Sequence, residues 1–403
     1  MRKTFNGNFT QQESIPEDAI ARAVAVMRTG RLHRYNVSAG EVAETALLEN
    51  EFAAYVGARY CLACASGGYA MHLALRSFGL EPGEPVLTNA FTLSPVPGAI
   101  DNAGGKPVLV ETTRDLLIDL NDLELKIGRS HARVLLLSHM RGHIVDMDAL
   151  MAVLCRHQVA LIEDCAHTMG ASWGERKSGS FGVAACFSTQ TYKHMNSGEG
   201  GFVTTDDPKL MANAVIRSGS YMLYGRHQAA PNDAAFTDAR LDNPNCSGRM
   251  DNLRAAILRP QLELLDDNRE RWNERYRTVE SALRGIKGLV LPHRPEKEAY
   301  VGSSIQFLAE GLDTAALPDF ISRCQARGVE LKWFGSPEPV AYTSRHDSWR
   351  YIDPQSLPQT DAVLDKLCDM RIPLSIGVCD YELIGEIIAE EFVDCERAMA
   401  VPA

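Results

Sequence analysis

A short apolar run, residues 159–162, ends in Glu163 and Asp164, with Cys165, Ala166 and His167 directly behind. After a glycine-rich connection, a second strand-like run, residues 187–193, carries Ser188 and ends on Lys193, and Gly198, Glu199, Gly200 and Gly201 follow. Two strand ends thus bring a carboxylate and an amine toward one place. A carboxylate beside a pyridine nitrogen keeps that nitrogen protonated and makes the ring an electron sink, while a lysine amine forms a Schiff base with an aldehyde. The chemistry these residues could support together is that of pyridoxal 5′-phosphate (PLP).

Each residue alone has an ordinary structural explanation. An Asp at a strand end is commonly a turn or N-cap residue, a single lysine after a strand is commonly solvated, and residues 198–201 could form a hairpin turn. Their order, spacing and strand context agree with one another, and that agreement carries the reading.

With these residues in place, the chain resembles the nucleotide-sugar aminotransferase family of the DegT/StrS type, within the fold-type I PLP enzymes. The resemblance extends over residues 66–75, 139–142, 146–148, 163–201 and 249–262. In the family pattern the Schiff-base lysine lies five residues after a phosphate-binding serine and five before a Gly-Glu-Gly-Gly turn. Ser188, Lys193 and Gly198 keep both intervals. Relatives with histidine at the lysine position are sugar dehydratases, and Lys193 argues against that variant.

The resemblance implies a PLP-dependent aminotransferase with Lys193 as the Schiff-base residue and base, Asp164 as the partner of the ring nitrogen, and His167 lining the site. It implies an amino-acid donor, glutamate or glutamine, and an oxo acceptor: a keto-sugar, a cyclitol or a natural-product intermediate. A homodimer with shared active sites is expected, with Asn245 reaching the neighbouring subunit's phosphate. Another PLP reaction on the same fold (elimination, racemisation or aldol cleavage) is the alternative, since fold does not fix chemistry. A non-catalytic PLP-binding regulatory protein is a further one.

For the phosphate, Ser66, Gly67 and Gly68 precede a helical run, residues 69–78, so the N–H groups of Gly67, Gly68 and Tyr69 would face an anion from a helix N-terminus. The family usually has a hydroxyl residue at Gly68. On the ring face it usually has an aromatic residue where Leu93 stands, and Phe91 is the other possibility. Ser247 and Gly248 replace the usual Asn before Arg249 and Met250, which is why Asn245 is considered. The usual His-Tyr-x-Pro pattern is absent, and Arg34, Lys332 and Trp333 are expected pocket residues for a small anionic or polyhydroxylated acceptor.

A length of 403 residues suggests two domains. The net charge of −11 disfavours a nucleic-acid partner. No apolar run approaches the ~20 residues that span a bilayer, and residues 1–8 lack a secretion signal's apolar core, so a cytoplasmic protein is expected. The ten cysteines read as reduced, several of them buried. Cys61 and Cys64 have metal-like spacing without a second ligand pair, so they read as strand residues and no metal is expected.

The elements that must position the site alternate. Residues 85–88, 106–110, 133–138 and 159–162 are short apolar runs separated by helical or turn segments. This predicts an α/β fold with a mostly parallel sheet flanked by helices, spanning residues 1–260 as a large PLP-binding domain. Beyond an apolar stretch at 253–265 and a charged helix at 268–283, residues 261–403 read as a small C-terminal α/β domain.

Overall fold

The computed structural model describes residues 2–340 and 344–400. Its strands are β1 (Tyr60–Cys64), β2 (Pro85–Asn89), β3 (Lys106–Val110), β4 (Val134–Ser138), β5 (Ala160–Asp164), β6 (Ser172–Trp173), β7 (Arg176–Lys177), β8 (Ala184–Ser188), β9 (Gly201–Thr205), β10 (Leu289–Val290), β11 (Glu298–Ala299), β12 (Ser304–Ala309), β13 (Lys332–Trp333) and β14 (Leu367–Arg371). Seven of them form one sheet in the order β1-β9-β8-β5-β4-β2-β3. Strands β3, β2, β4, β5 and β8 are parallel, and only β9 runs against its neighbours. The fold is thus α/β with a mostly parallel central sheet flanked by helices.

The apolar runs explain why this sheet is buried on both faces. Leu135, Leu137 and Leu161 point into one core cluster, while Val134, Leu136 and Ile162 point into another. Successive side chains of a strand face opposite ways, so an unbroken apolar run serves a strand covered by helices on both sides.

The second sheet, in the order β10-β12-β14-β13, is antiparallel. In β14 the alternation decides which side faces what. Cys368 and Met370 join the large hydrophobic core, whereas Asp369 and Arg371 share the other face. The helix Val378–Ala400 packs along Leu265–Leu283, burying Tyr276, Val279, Ile384 and Ile388 in that core. The chain's start lies on the same layer: the Phe5 N–H donates to Arg327 O at 2.9 Å, and Arg327 Nε donates to Lys3 O at 2.9 Å. No helix among the described residues is long and apolar enough to cross a membrane.

Candidate active site

The carboxyl ends of β4, β5 and β8 are neighbours, and each delivers a polar side chain: Ser138, Asp164 and Ser188. All three line a cavity of about 870 Å³, together with His167, Lys193 and Gly67. Open α/β sheets bind ligands at this end because the crossover connections leave a crevice there.

Asp164 is buried, and its two oxygens are fixed separately. Oδ2 accepts from the Ser138 hydroxyl at 2.9 Å and Oδ1 from the Ala166 N–H at 3.1 Å. Burial pushes its carboxyl above the ordinary aspartate range, against those hydrogen bonds and the Lys193 cation. A carboxylate so placed gains from any further cation brought against it. A protonated pyridine ring is such a cation.

Strand β8 closes at Ser188, so the expectation that Lys193 ends a strand needs correction. Lys193 lies in a turn, its N–H donating to Gln190 O at 2.8 Å. The segment is polar, and Gly198 has φ +78°, a conformation natural to glycine. The loop is closed by Thr189 and Gly200, whose N–H···O contact is 2.9 Å. Lys193 Nζ lies 3.1 Å from His167 Nε2. Burial pushes the Lys193 amine down to about 8, Arg141 and Arg371 push it the same way, and Asp164 opposes them. Burial, and then the Lys193 cation, hold the His167 ring well below its ordinary value. His167 is therefore neutral near pH 7, and its Nε2 can accept from the amine. His194 points the other way, to Ser303 Oγ at 3.0 Å and the edge of Trp272.

The helix Gly67–Phe78 begins against β8. A Cβ on Gly67 would sit 2.8 Å from the Ser188 Cβ, so the close approach requires glycine there. Gly68 is different, because the nearest atom to an added Cβ is on Pro95 at 4.0 Å. Ser66 caps this helix by accepting from the Tyr69 N–H at 3.1 Å. That bond commits one of the three expected anion donors: the Gly67 and Gly68 N–H groups stay open beside Ser188. The Tyr69 hydroxyl points away, donating to the carbonyls of Arg217 (3.2 Å) and Cys246 (3.3 Å).

Leu93 lines the cavity, whereas Phe91 is in the core with its ring edge-to-face on Phe334 at 5.1 Å. Asn245 is on an exposed stretch outside the cavity. Lys332 lines the cavity but Trp333 does not, since neighbouring strand residues face opposite sides; Trp333 Nε1 donates to Asp365 O. Arg34 is not a pocket residue either. It is buried with its Nη2 2.7 Å from Glu49.

Residues that sequence reasoning left without a role also line the cavity, namely Arg141, Tyr192 and Arg371, and Trp349 lines it too. Alternation within 367–371 was the available signal for Arg371. Arg141 gave none, since its direction depends on a left-handed backbone at φ 55°, ψ 22°. Among the described residues His139, Glu163 and Cys165 lie close enough together to suggest metal ligands. Glu163 is already committed, accepting from the N–H groups of Gly179, Phe181 and Gly182 at 2.8–3.0 Å. The cluster pins the glycine-rich connection.

Residues 14–383 match the model of the DegT/DnrJ/EryC1/StrS aminotransferase family. The spore coat polysaccharide biosynthesis protein SpsC of Bacillus subtilis (strain 168) is 34% identical over 248 residues, 60% of this chain and 62% of SpsC. The GDP-perosamine synthase of Caulobacter vibrioides (strain ATCC 19089 / CIP 103742 / CB 15) is 34% identical over 221 residues, 55% of this chain and 56% of that protein. The match thus spans about six-tenths of these relatives' length. Among solved structures, S. venezuelae DesV in complex with a ketimine intermediate is 27% identical, with a TM-score of 0.76 and coverage of 96% of this chain and 95% of DesV. 3-Amino-5-hydroxybenzoic acid synthase, 24% identical with a TM-score of 0.82 over 98% of this chain and 100% of its own, shares the fold. Coverage of 370 of the 403 residues by one family model settles the relationship: this chain belongs to the DegT/DnrJ/EryC1/StrS aminotransferase family.

Proposed function

We propose that the chain is a PLP-dependent aminotransferase that moves an amino group from glutamate or glutamine to the carbonyl of a small oxo compound. The observation that carries this reading is the convergence of Lys193, Asp164 and Ser188 on one cavity at the ends of adjacent strands. When bound, the cofactor supplies an aldehyde that takes up the amine and a ring that withdraws electrons.

The residues present fit that group. Asp164 would hold the ring nitrogen protonated, with Ser138 and the Ala166 N–H keeping its carboxylate in place. The Gly67 and Gly68 N–H groups and Ser188 Oγ would hold the phosphate, and Leu93 would cover the ring. His167 accepts from the Lys193 amine and orients it. The neutral Lys193 amine would take the proton from the donor's Cα and return one to the new amine's carbon. The exposed stretch carrying Asn245 would meet a second copy in a homodimer.

Borohydride reduction of the PLP-loaded protein followed by peptide mapping tests the reading. The label is expected on Lys193, and glutamate or glutamine alone is expected to convert the cofactor to pyridoxamine phosphate. A label on another lysine, or no conversion, would overturn it.

A further inference from the structure

Three cations, Arg141, Lys332 and Arg371, line the cavity beside Lys193. Asp369 and Arg371 share one face of β14, and Lys332 on β13 is in register with Asp369. Arg141 reaches this face from the turn after β4. Its Nη2 is 2.9 Å from Asp369 Oδ2, an ion pair without hydrogen-bond alignment, because that oxygen and Arg141 Nε both lack hydrogen-bond partners. The other oxygen, Oδ1, accepts from Gln306 Nε2 at 2.7 Å.

Asp369 is thus one carboxylate facing three cations: it pairs directly with Arg141, and its charge also favours the Lys332 and Arg371 cations without contacting them. Neither Arg371 nor Lys332 makes an ion pair with a carboxylate of the described residues. The Arg371 guanidinium lies 3.9 Å from the Tyr192 ring centroid, which holds it in place without neutralising it. Glu330 lines the same cavity but is solvent-exposed, where its charge is strongly screened. The Arg371 guanidinium lies near enough to the Lys193 amine to push its protonation down.

We propose that Arg371 and Lys332 form a carboxylate subsite and that the acceptor is a small oxo acid. The proposal rests on the aminotransferase reading above, because a two-stage transfer uses one pocket twice. The donor's carboxylate occupies the subsite in the first stage. An acceptor that brings its own carboxylate refills it in the second, whereas a neutral acceptor would leave two half-buried cations without an anion in the cavity. A nucleotide-linked sugar is also anionic, but its diphosphate lies beyond a sugar ring from the reacting carbon. Arg371 lies beside the Lys193 amine instead. Trp349, nearly inaccessible and lining the same cavity, supplies an apolar face for a ring or branched body.

The test uses the full-length, PLP-loaded protein. Glutamate alone is first used to generate the pyridoxamine form, a step that decides the aminotransferase reading separately. That form is then offered 3-oxocyclohexanecarboxylate, 3-(hydroxymethyl)cyclohexanone and a dTDP-linked 4-keto sugar. A kcat/KM about 10-fold or more higher for the oxo acid than for its alcohol is expected, the size of one charge-assisted hydrogen bond. In parallel, benzoate binding to the PLP form is measured by calorimetry. Arg371→Gln and Lys332→Gln are each expected to weaken it about 10-fold or more, and Arg371→Lys to restore part of the loss. Equal use of the alcohol, preference for the dTDP-linked sugar, or unchanged benzoate binding in both Gln variants would overturn the proposal. Should glutamate fail to convert the cofactor, the aminotransferase reading falls, and the benzoate titration still decides whether the subsite exists.

Discussion

Lys193 Nζ and His167 Nε2 are 3.1 Å apart, and the imidazole is the uncharged member of the pair. A neutral imidazole accepts from an ammonium but does not repel it strongly. The amine's own depression to about 8 comes first from burial and then from Arg141 and Arg371. The first prediction follows from that value. Only the neutral amine attacks an aldehyde, so the rate at which apoprotein takes up PLP should rise with pH and reach half its plateau near 8, not near 10.5. Stopped-flow absorbance across pH 6–10 checks it. A rate still rising steeply at pH 10 would show an unperturbed lysine.

The second prediction concerns Asp164. Replacing it with Asn keeps a hydrogen-bonding group beside Ser138 and the Ala166 N–H, so the fold should survive. The lost charge can no longer hold a ring nitrogen protonated. A loss of about 10³-fold in turnover is expected, on the order of 4 kcal/mol in the transition state. Turnover with glutamate and any working acceptor, together with an unchanged far-UV spectrum, measures this. Wild-type turnover would show that Asp164 is not the ring partner.

A third prediction contrasts two adjacent glycines. At Gly67 a methyl group meets the Ser188 Cβ at 2.8 Å and the Phe187 carbonyl oxygen at 3.3 Å, so Gly67→Ala should push the helix N-terminus off β8. A cost of roughly 1–3 kcal/mol in stability, with weaker PLP binding, is expected for such overpacking. Gly68 has open space, and Gly68→Ser adds a hydroxyl beside the two free N–H groups without a clash. PLP should bind more tightly to that variant, by roughly 3- to 10-fold for one added hydrogen bond. Melting temperatures and PLP titrations of the two variants should move in opposite directions.

The legibility of this chain in sequence was uneven for physical reasons. Strands β4 and β5 are continuous apolar runs because both faces are covered, and such runs are visible without a partner. The acid at the end of β5 was readable with them. Lys193 was found by spacing, although its placement in a turn was missed: residues 187–193 read as strand while the polar stretch from Thr189 had already left the sheet. Arg34 was expected in the pocket. Its burial depends on Glu49 and His227, residues 15 and 193 positions away, and no local pattern reports a partner that distant. Trp333 was read with Lys332 as a pair, where strand periodicity permits only one of them to face the cavity.

That misread arginine carries the last prediction. Arg34 and Glu49 are buried 2.7 Å apart, Glu49 Oε1 also accepts from the Ala63 N–H at 2.7 Å, and His227 Nε2 lies 3.1 Å from the carboxylate. Burial alone would push Glu49 up, but Arg34 and His227 together outweigh it and hold the carboxyl down to about 2. A folded pKa below the unfolded one gives stability that is present above the unfolded value, near 4.5, and is lost as pH falls toward 2. Glu49→Gln should therefore destabilise the protein by about 3 kcal/mol at pH 7, since it strands the buried Arg34 cation. The gap between wild type and variant should narrow as pH drops from 4.5 toward 2, because the wild-type carboxyl is then protonated too. Urea unfolding of both proteins at pH 7 and pH 3 measures the gap directly, and subtracting the two curves cancels the other carboxylates. A gap that is the same at both pH values would mean that Glu49 contributes by shape and hydrogen bonding, with its charge adding nothing to the fold.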